Sequence, residues 1–222
     1  MKKTLKSIAL MSGIAAFSAS PALAQNQAPS PPQSALTIYG GYGGGGSFEQ
    51  AGNGTIIINP NANANVDSNA VGAVSIDWRY DKSGNGQIFA SYQRANLGLP
   101  TGVLLPNGAN SFSLDITYLQ LGGVRYIGGT AGQGAYYAGG IGATFFSPRN
   151  AGLSSEVRPS VSLAFGYEHE VNPTLSIRGE LRGYATLFNS NSAIFCSGGC
   201  TIALQGDTFT QGQALIGLSL RF

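Results

Sequence analysis

Read backwards from its end, the chain alternates strictly: Phe222, Leu220, Leu218, Ile216, Ala214 and Gly212 share one face, and Arg221, Ser219, Gly217, Leu215, Gln213 and Gln211 the other. The first face is apolar throughout. A period of two is that of an extended strand with one side turned to an apolar phase. Upstream, Leu175, Ile177, Gly179, Leu181 and Gly183 alternate with Ser176, Arg178, Glu180, Arg182 and Tyr184. Val161, Leu163, Phe165 and Tyr167 alternate with Ser160, Ser162, Ala164, Gly166 and Glu168, and Tyr137, Gly139, Ile141, Ala143 and Phe145 with Tyr136, Ala138, Gly140, Gly142 and Thr144.

Nearer the N-terminus, Leu114, Ile116, Tyr118, Gly122, Val124 and Tyr126 oppose Asp115, Thr117 and Arg125. Gln120 falls on the apolar side of that strand and marks a bulge or an error of register. Ile88, Ala90 and Tyr92 oppose Gln87, Ser91 and Gln93; Val74, Ile76, Trp78 and Tyr80 oppose Ser75, Asp77 and Arg79; Leu36, Ile38, Gly40 and Tyr42 form a first strand. The pattern thus predicts eight strands. Short turns at residues 81–85, 128–134 and 169–173 alternate with longer Asn-, Gly- and Ser-rich connections at 44–70, 95–111, 147–156 and 188–207.

The first residues carry Lys2, Lys3 and Lys6, then an apolar stretch over 8–19, then Pro21-Ala22-Leu23-Ala24. This order of basic region, apolar region and small-residue site predicts a signal peptide over residues 1–24, cleaved after Ala24. Residues 25–34 are Pro-rich and polar and read as a flexible leader, which leaves 35–222 as one domain. Without Lys2, Lys3 and Lys6 the formal charge falls from +2 to −1, so no basic stripe remains for nucleic acid. Only 10% of residues are charged and 33 are Gly, against roughly 25% and about 7% in ordinary domains. After the signal no apolar run reaches the ~18 residues of a membrane-spanning helix.

A secreted chain with short alternating segments and no long apolar run points to an all-β transmembrane barrel: antiparallel, up-and-down, eight-stranded, with both termini periplasmic. Hydrocarbon offers no partner to the backbone of an edge strand, so strands cross a bilayer only as a closed cylinder. A soluble β-sandwich would need its second face broadly hydrophilic, whereas here that face is small and polar with few charges. Aromatics gather at strand ends, with Trp78, Tyr80, Tyr126, Tyr167 and Phe222 toward one side and Phe112, Phe145 and Phe146 toward the other. Transmembrane barrels carry such girdles, and they pair short periplasmic turns with long external loops.

In this pattern residues 35–222 resemble the small eight-stranded outer-membrane barrels, the superfamily of outer-membrane protein A and the opacity-type porin-like domains. The most specific part is QALIGLSLRF at 213–222, which looks like the C-terminal signal presented to the barrel-assembly machinery, with Leu218, Leu220 and Phe222 as its apolar positions. The resemblance implies an outer-membrane location, periplasmic chaperones and the assembly machinery as partners in biogenesis, and contact with outer-membrane lipid and lipopolysaccharide. It implies no activity, and no motif specifies an oligomeric state.

With the polar face inward, the lumen is expected to hold Asp77, Arg79, Asp115, Arg125, Glu168, Arg178, Glu180, Arg182 and Arg221. These could form a selective constriction or a network of ion pairs; near balance of charge and the narrow bore of an eight-stranded barrel favour a filled core. Arg94, Arg149 and Arg158 fall at external strand ends, where Arg can take lipopolysaccharide phosphates bidentately or simply be solvated. Cys196 and Cys200 sit in the last external loop. In an oxidising compartment they are expected to form a disulfide that stiffens the loop tip.

No metal or other cofactor is expected, because the chain has one His and two Cys, short of a four-ligand site. The run Gly40 to Gly46 lacks the Lys-Ser/Thr ending of a phosphate loop. Lipid-modifying enzymes and proteases among outer-membrane barrels use His on the outer-leaflet side, whereas His169 falls in a turn at the opposite end, so no catalytic residues are assigned. The expected function is therefore non-enzymatic: envelope structure, and surface interaction through external loops. A narrow porin-like channel for small solutes is the alternative, and an outer-leaflet enzyme the third reading.

Overall fold

The computed structural model describes residues 34–45, 47–48, 64–65, 68–98, 111–149, 154–188, 193–194, 202–203 and 208–222. Residues 1–33, which hold the expected signal peptide (1–24) and all but the last residue of the expected leader (25–34), lie outside the described residues, as do Cys196 and Cys200. Ser34, the last residue of that leader, begins the first strand instead. Eight long strands make a closed barrel: β1 (Ser34–Gly44), β2 (Asn69–Arg79), β3 (Gly84–Gly98), β4 (Ser111–Tyr126), β5 (Gly134–Pro148), β6 (Glu156–Asn172), β7 (Leu175–Leu187) and β8 (Thr208–Arg221). Each pairs antiparallel with its sequence neighbours, and β8 returns to β1. Two-residue pairings at Ser47–Phe48 with Ala64–Asn65, and at Ala193–Ile194 with Ile202–Ala203, lie within two of the long connections.

Closure uses the last residue of the chain. Ser34 N–H donates to the Phe222 carbonyl at 3.0 Å and Phe222 N–H to the Ser34 carbonyl at 2.9 Å, so the seam has no unpaired edge where it would meet lipid. Leu218, Leu220 and Phe222 all stand exposed on the outer wall.

The short connections gather at the end of the barrel where β1 begins and β8 ends, here the turn end; the strand ends joined by the long connections form the loop end. Asp81 accepts the Ser83 N–H at 2.7 Å in the first turn, and Asn172 the Thr174 N–H at 3.0 Å in the third, the side-chain geometry that lets Asp and Asn fix tight turns. The second turn folds inward. Ala131 N–H bonds the Lys82 carbonyl at 2.8 Å, Arg79 reaches the Ala131 carbonyl at 3.1 Å, and Arg221 bonds the Gly132 carbonyl. Gly132 has φ 90°, and a Cβ there would meet the Arg221 guanidinium at about 3.1 Å. Glycine at this position lets the turn seal the mouth of the barrel.

Inside the barrel, glycines make room for large rings on the neighbouring strand. Gly217 is the register partner of Tyr39, and Gly166 of Tyr136. A Cβ on either glycine would lie 2.5 Å or less from the ring opposite. The lumen is thereby filled by side chains rather than left as a bore.

On the outside, Ile38, Leu121, Ile141, Leu163, Leu181, Ile216 and Leu218 are each more than half exposed. An apolar surface this continuous around a closed cylinder requires lipid as its solvent.

Seven strands present the faces that the alternation predicts. β4 is the exception, and its faces are reversed: Leu114, Ile116, Tyr118, Val124 and Tyr126 are buried inside, while Leu119 and Leu121 face out. Gln120 is buried inside, where its amide donates to Ser160 Oγ at 2.8 Å. It marks the true polar face and not a bulge, since the β4 ladders with β3 and β5 run without a register break. Tyr126 and Phe146, expected in the girdles, are also lumen residues, whereas Trp78, Tyr80, Tyr167, Phe145 and Phe222 stand on the outer wall. The Phe112 side chain lies outside what is described.

Candidate functional site

The lumen fills in layers. At the turn-end mouth Arg221 pairs with Glu170 at 2.8 Å and Glu168 at 3.1 Å. Deeper in, Arg178 is the centre of a network. Its Nε meets Glu168 at 2.7 Å and its Nη1 meets Asp77 at 2.8 Å, with all three side chains almost fully shielded. Tyr126 Oη accepts from Arg178 Nη2 at 2.6 Å and donates to Glu168 at 2.5 Å. Ser176 also donates to Glu168, and Ser75 and Gln87 to Asp77, each of these last two at 2.9 Å. Burial of so many charges is tolerable because each carboxylate and the guanidinium is paired and hydrogen-bonded at once.

One layer further, Arg182 pairs with Glu180 at 2.7 Å, donates to Gln87 at 2.9 Å and lies 3.9 Å from the centre of the Phe89 ring. Tyr136 Oη donates to Glu180 at 2.7 Å. Above this the lumen changes character. Tyr118 and Tyr184 stack at 3.8 Å, with hydroxyls donated to Gln211 and Gln213. Toward the loop end Leu114, Ile116, Phe146, Phe188 and Phe209 form an apolar plug.

The structure brings together Asp77, Glu168, Arg178, Glu180 and Arg182, with Arg79 and Arg221 at the mouth. Two residues assigned to this group from sequence are elsewhere. Asp115 and Arg125 point out of the barrel, because β4 has the opposite facing: Arg125 pairs with Asp81 at 2.5 Å on the outer wall at the turn end. Glu170, which falls inside the turn predicted at 169–173, takes a place in the lumen mouth instead, beside Arg221. From the turn-end mouth to the tyrosine layer the balance inside is then Arg79, Arg178, Arg182 and Arg221 against Asp77, Glu168, Glu170 and Glu180. The signal for Glu170 was its even spacing from Glu168, which puts both on one face of β6.

Asp115 is held between two of the rim arginines. Arg94 Nε meets its Oδ1 at 3.2 Å and Arg149 Nε its Oδ2 at 3.0 Å. The third arginine does not join them. Arg158 shares the inward face of β6 with Ser160 and Ser162; it pairs with Glu156 at 3.1 Å and lies 5.7 Å from the Phe188 ring centre. The expected trio of outward arginines is therefore a pair, bridged by a carboxylate that was expected inside.

His169 is exposed at the turn end of β6. Among the described residues no three His, Cys, Asp or Glu side chains converge so as to hold a metal ion.

No protein-family model and no curated protein matches the chain. Solved structures do. The outer membrane protein AlkL, determined by solid-state NMR in DMPC lipid bilayers, is 12% identical, with 96% of this chain and 97% of that one covered and a TM-score of 0.55. OprG from Pseudomonas aeruginosa is 13% identical over 86% of this chain and 97% of its own, with a TM-score of 0.51. Neisserial surface protein A is 10% identical over 85% and 99%, also at 0.51. At these identities the likeness is one of fold. With its closed antiparallel ladder, filled lumen and lipid-facing outer wall, the chain has the fold of the small eight-stranded β-barrels of the outer membrane.

Proposed function

We propose that the protein is a closed, non-enzymatic barrel of the outer membrane, with the turn end and both termini in the periplasm, contributing to envelope structure and meeting its surroundings through the external loops and rim. The observation that carries this reading is the filled lumen: Arg221, the Arg178 network, the Arg182–Glu180 pair, the stacked tyrosines and the phenylalanine plug succeed one another along the barrel. The void at the turn-end mouth measures about 20 Å³, room for about one water. His169 lies at the opposite end from the rim, which argues against His-dependent chemistry in the outer leaflet. Leu218, Leu220 and Phe222 on the outer wall suit recognition by the barrel-assembly machinery during insertion. In planar bilayers the refolded protein is expected to give no unitary conductance steps; reproducible steps from a single insertion would support the solute channel and sink the closed barrel.

A further inference from the structure

β4 carries outward charges at two positions only, Asp115 and Arg125, and they are ten residues apart. At about 3.4 Å per residue and a tilt of about 40°, they stand about 26 Å apart along the barrel axis, the height of a lipid-facing band. Between them the outward residues are Thr117, Leu119, Leu121 and Gly123. Thr117 is in register with Tyr92 on β3 and Phe145 on β5, an interfacial aromatic row. Asp115 and its register partner Arg94 lie one outward rung beyond that row, at the level of lipid headgroups.

The site there is braced. Asp115 Oδ1 accepts from Arg94 Nε and, at 2.9 Å, from Tyr92 Oη, while Oδ2 accepts from Arg149 Nε. Arg94 Nη2 donates to Tyr92 Oη at 3.3 Å, and Arg149 N–H is tied to the Ser113 carbonyl at 3.0 Å. The Arg94 and Arg149 side chains are 52% and 54% exposed, Asp115 only 19%. Both guanidiniums are thus held at their Nε edges. Nη1 of Arg94 and both Nη atoms of Arg149 have no partner among the described residues. One carboxylate leaves two guanidiniums with a net charge of +1, an arrangement completed by an oxyanion that accepts several N–H donors at once.

We propose that Arg94 and Arg149, braced by Asp115 and Tyr92, bind a phosphate group of a phosphorylated glycolipid in the leaflet at the loop end. A lipid-borne phosphate is favoured over a free one by the wall just below, where Tyr92, Thr117 and Phe145 meet hydrocarbon. Acyl chains packed there hold their own headgroup at the arginines, raising its effective concentration. In cells the proposal rests on the loop end facing outward, the orientation proposed above.

The test uses the full refolded chain in detergent micelles and counts retained lipid by native mass spectrometry. The probes are purified lipid A, the same lipid stripped of phosphate, and inorganic phosphate. Wild type should retain lipid A at least about tenfold better than its dephosphorylated form, the scale of two or more charge-assisted hydrogen bonds. Arg94→Gln/Arg149→Gln should lose that preference, Arg94→Lys/Arg149→Lys should keep part of it, and Arg158→Gln, whose side chain points inward, should match wild type. Heat-modifiable migration on a semi-native gel confirms that each variant is folded. Equal retention of both lipids, or a folded double Gln variant that still discriminates, overturns the site; displacement by equimolar inorganic phosphate overturns the lipid source. Orientation is read separately from an epitope inserted within 99–110: inaccessible on intact cells, it overturns the outward loop end while the binding assay still judges the site.

Discussion

Glu168 and Arg178 are register partners on β6 and β7, and inside the barrel their side chains meet at 2.7 Å with no more than 2% of either exposed. From the opposite wall Asp77, 101 positions earlier in the chain, takes another edge of the same guanidinium. One arginine therefore bridges two carboxylates and ties β2, β6 and β7 together across the lumen.

Arg178→Met should leave Asp77 without a cation and Glu168 with Arg221 as its remaining one, and lower stability by about 3–5 kcal/mol. Glu168→Gln should cost less, because the amide oxygen still accepts from Ser176 and Arg178. Urea unfolding of the refolded protein in lipid vesicles measures both. In the double variant the two effects should fall short of their sum, since the residues share one network. An unchanged midpoint for Arg178→Met would show that the network adds nothing to stability.

Leu121 is 57% exposed on the outer wall, near the middle of the stretch between Asp115 and Arg125. Leu121→Arg should therefore cost about 2–4 kcal/mol, as for a cation at the bilayer midplane of a barrel. Replacing Gln120 with Leu should not stabilise the protein, because Gln120 faces the lumen and bonds Ser160. A stabilising Gln120→Leu together with a harmless Leu121→Arg would mean that β4 has the opposite facing.

Asp81 lies in the first turn, and the N–H bond from Ser83, reinforced by Arg125, holds its carboxyl below its ordinary value of 3.8. A carboxyl whose pKa is lower in the folded state adds stability above the unfolded value and loses it as pH falls through the folded value. Asp81→Asn keeps a side-chain oxygen for the Ser83 bond but removes the charge opposite Arg125. Its midpoint should lie below that of wild type at pH 7, and the two should converge as the pH falls past 3.8. A gap that persists undiminished in stronger acid would assign the effect to shape instead of charge.

Strand number, order and most facings were legible because period-two alternation reports directly on which side chains meet an apolar phase. On β7, for instance, three charges fall on one side and Ile177, Gly179 and Leu181 on the other, and only one assignment is compatible with lipid. β4 defeated that reading. Its lumen side is apolar where it joins the plug and the tyrosine layer, through Leu114, Ile116 and Tyr118, and again toward the turn end, where Val124 and Tyr126 pack with Ala131, Tyr136, Ala138 and Ala164. Its outer side is charged where the strand runs past the hydrocarbon at both ends. Gln120 was the local signal that the polar face was the other one.

The sequence by itself determined that the chain forms alternating strands joined by turns short and long in turn, and which charged residues were available to fill a narrow interior. Those properties follow from local periodicity and turn chemistry. The partners were decided by tertiary structure: that Arg178 reaches Asp77, that Glu170 meets Arg221, that Arg158 turns inward, and that Asp115 braces Arg94 and Arg149. Such contacts join residues far apart in the chain, and closure with its register brings them face to face.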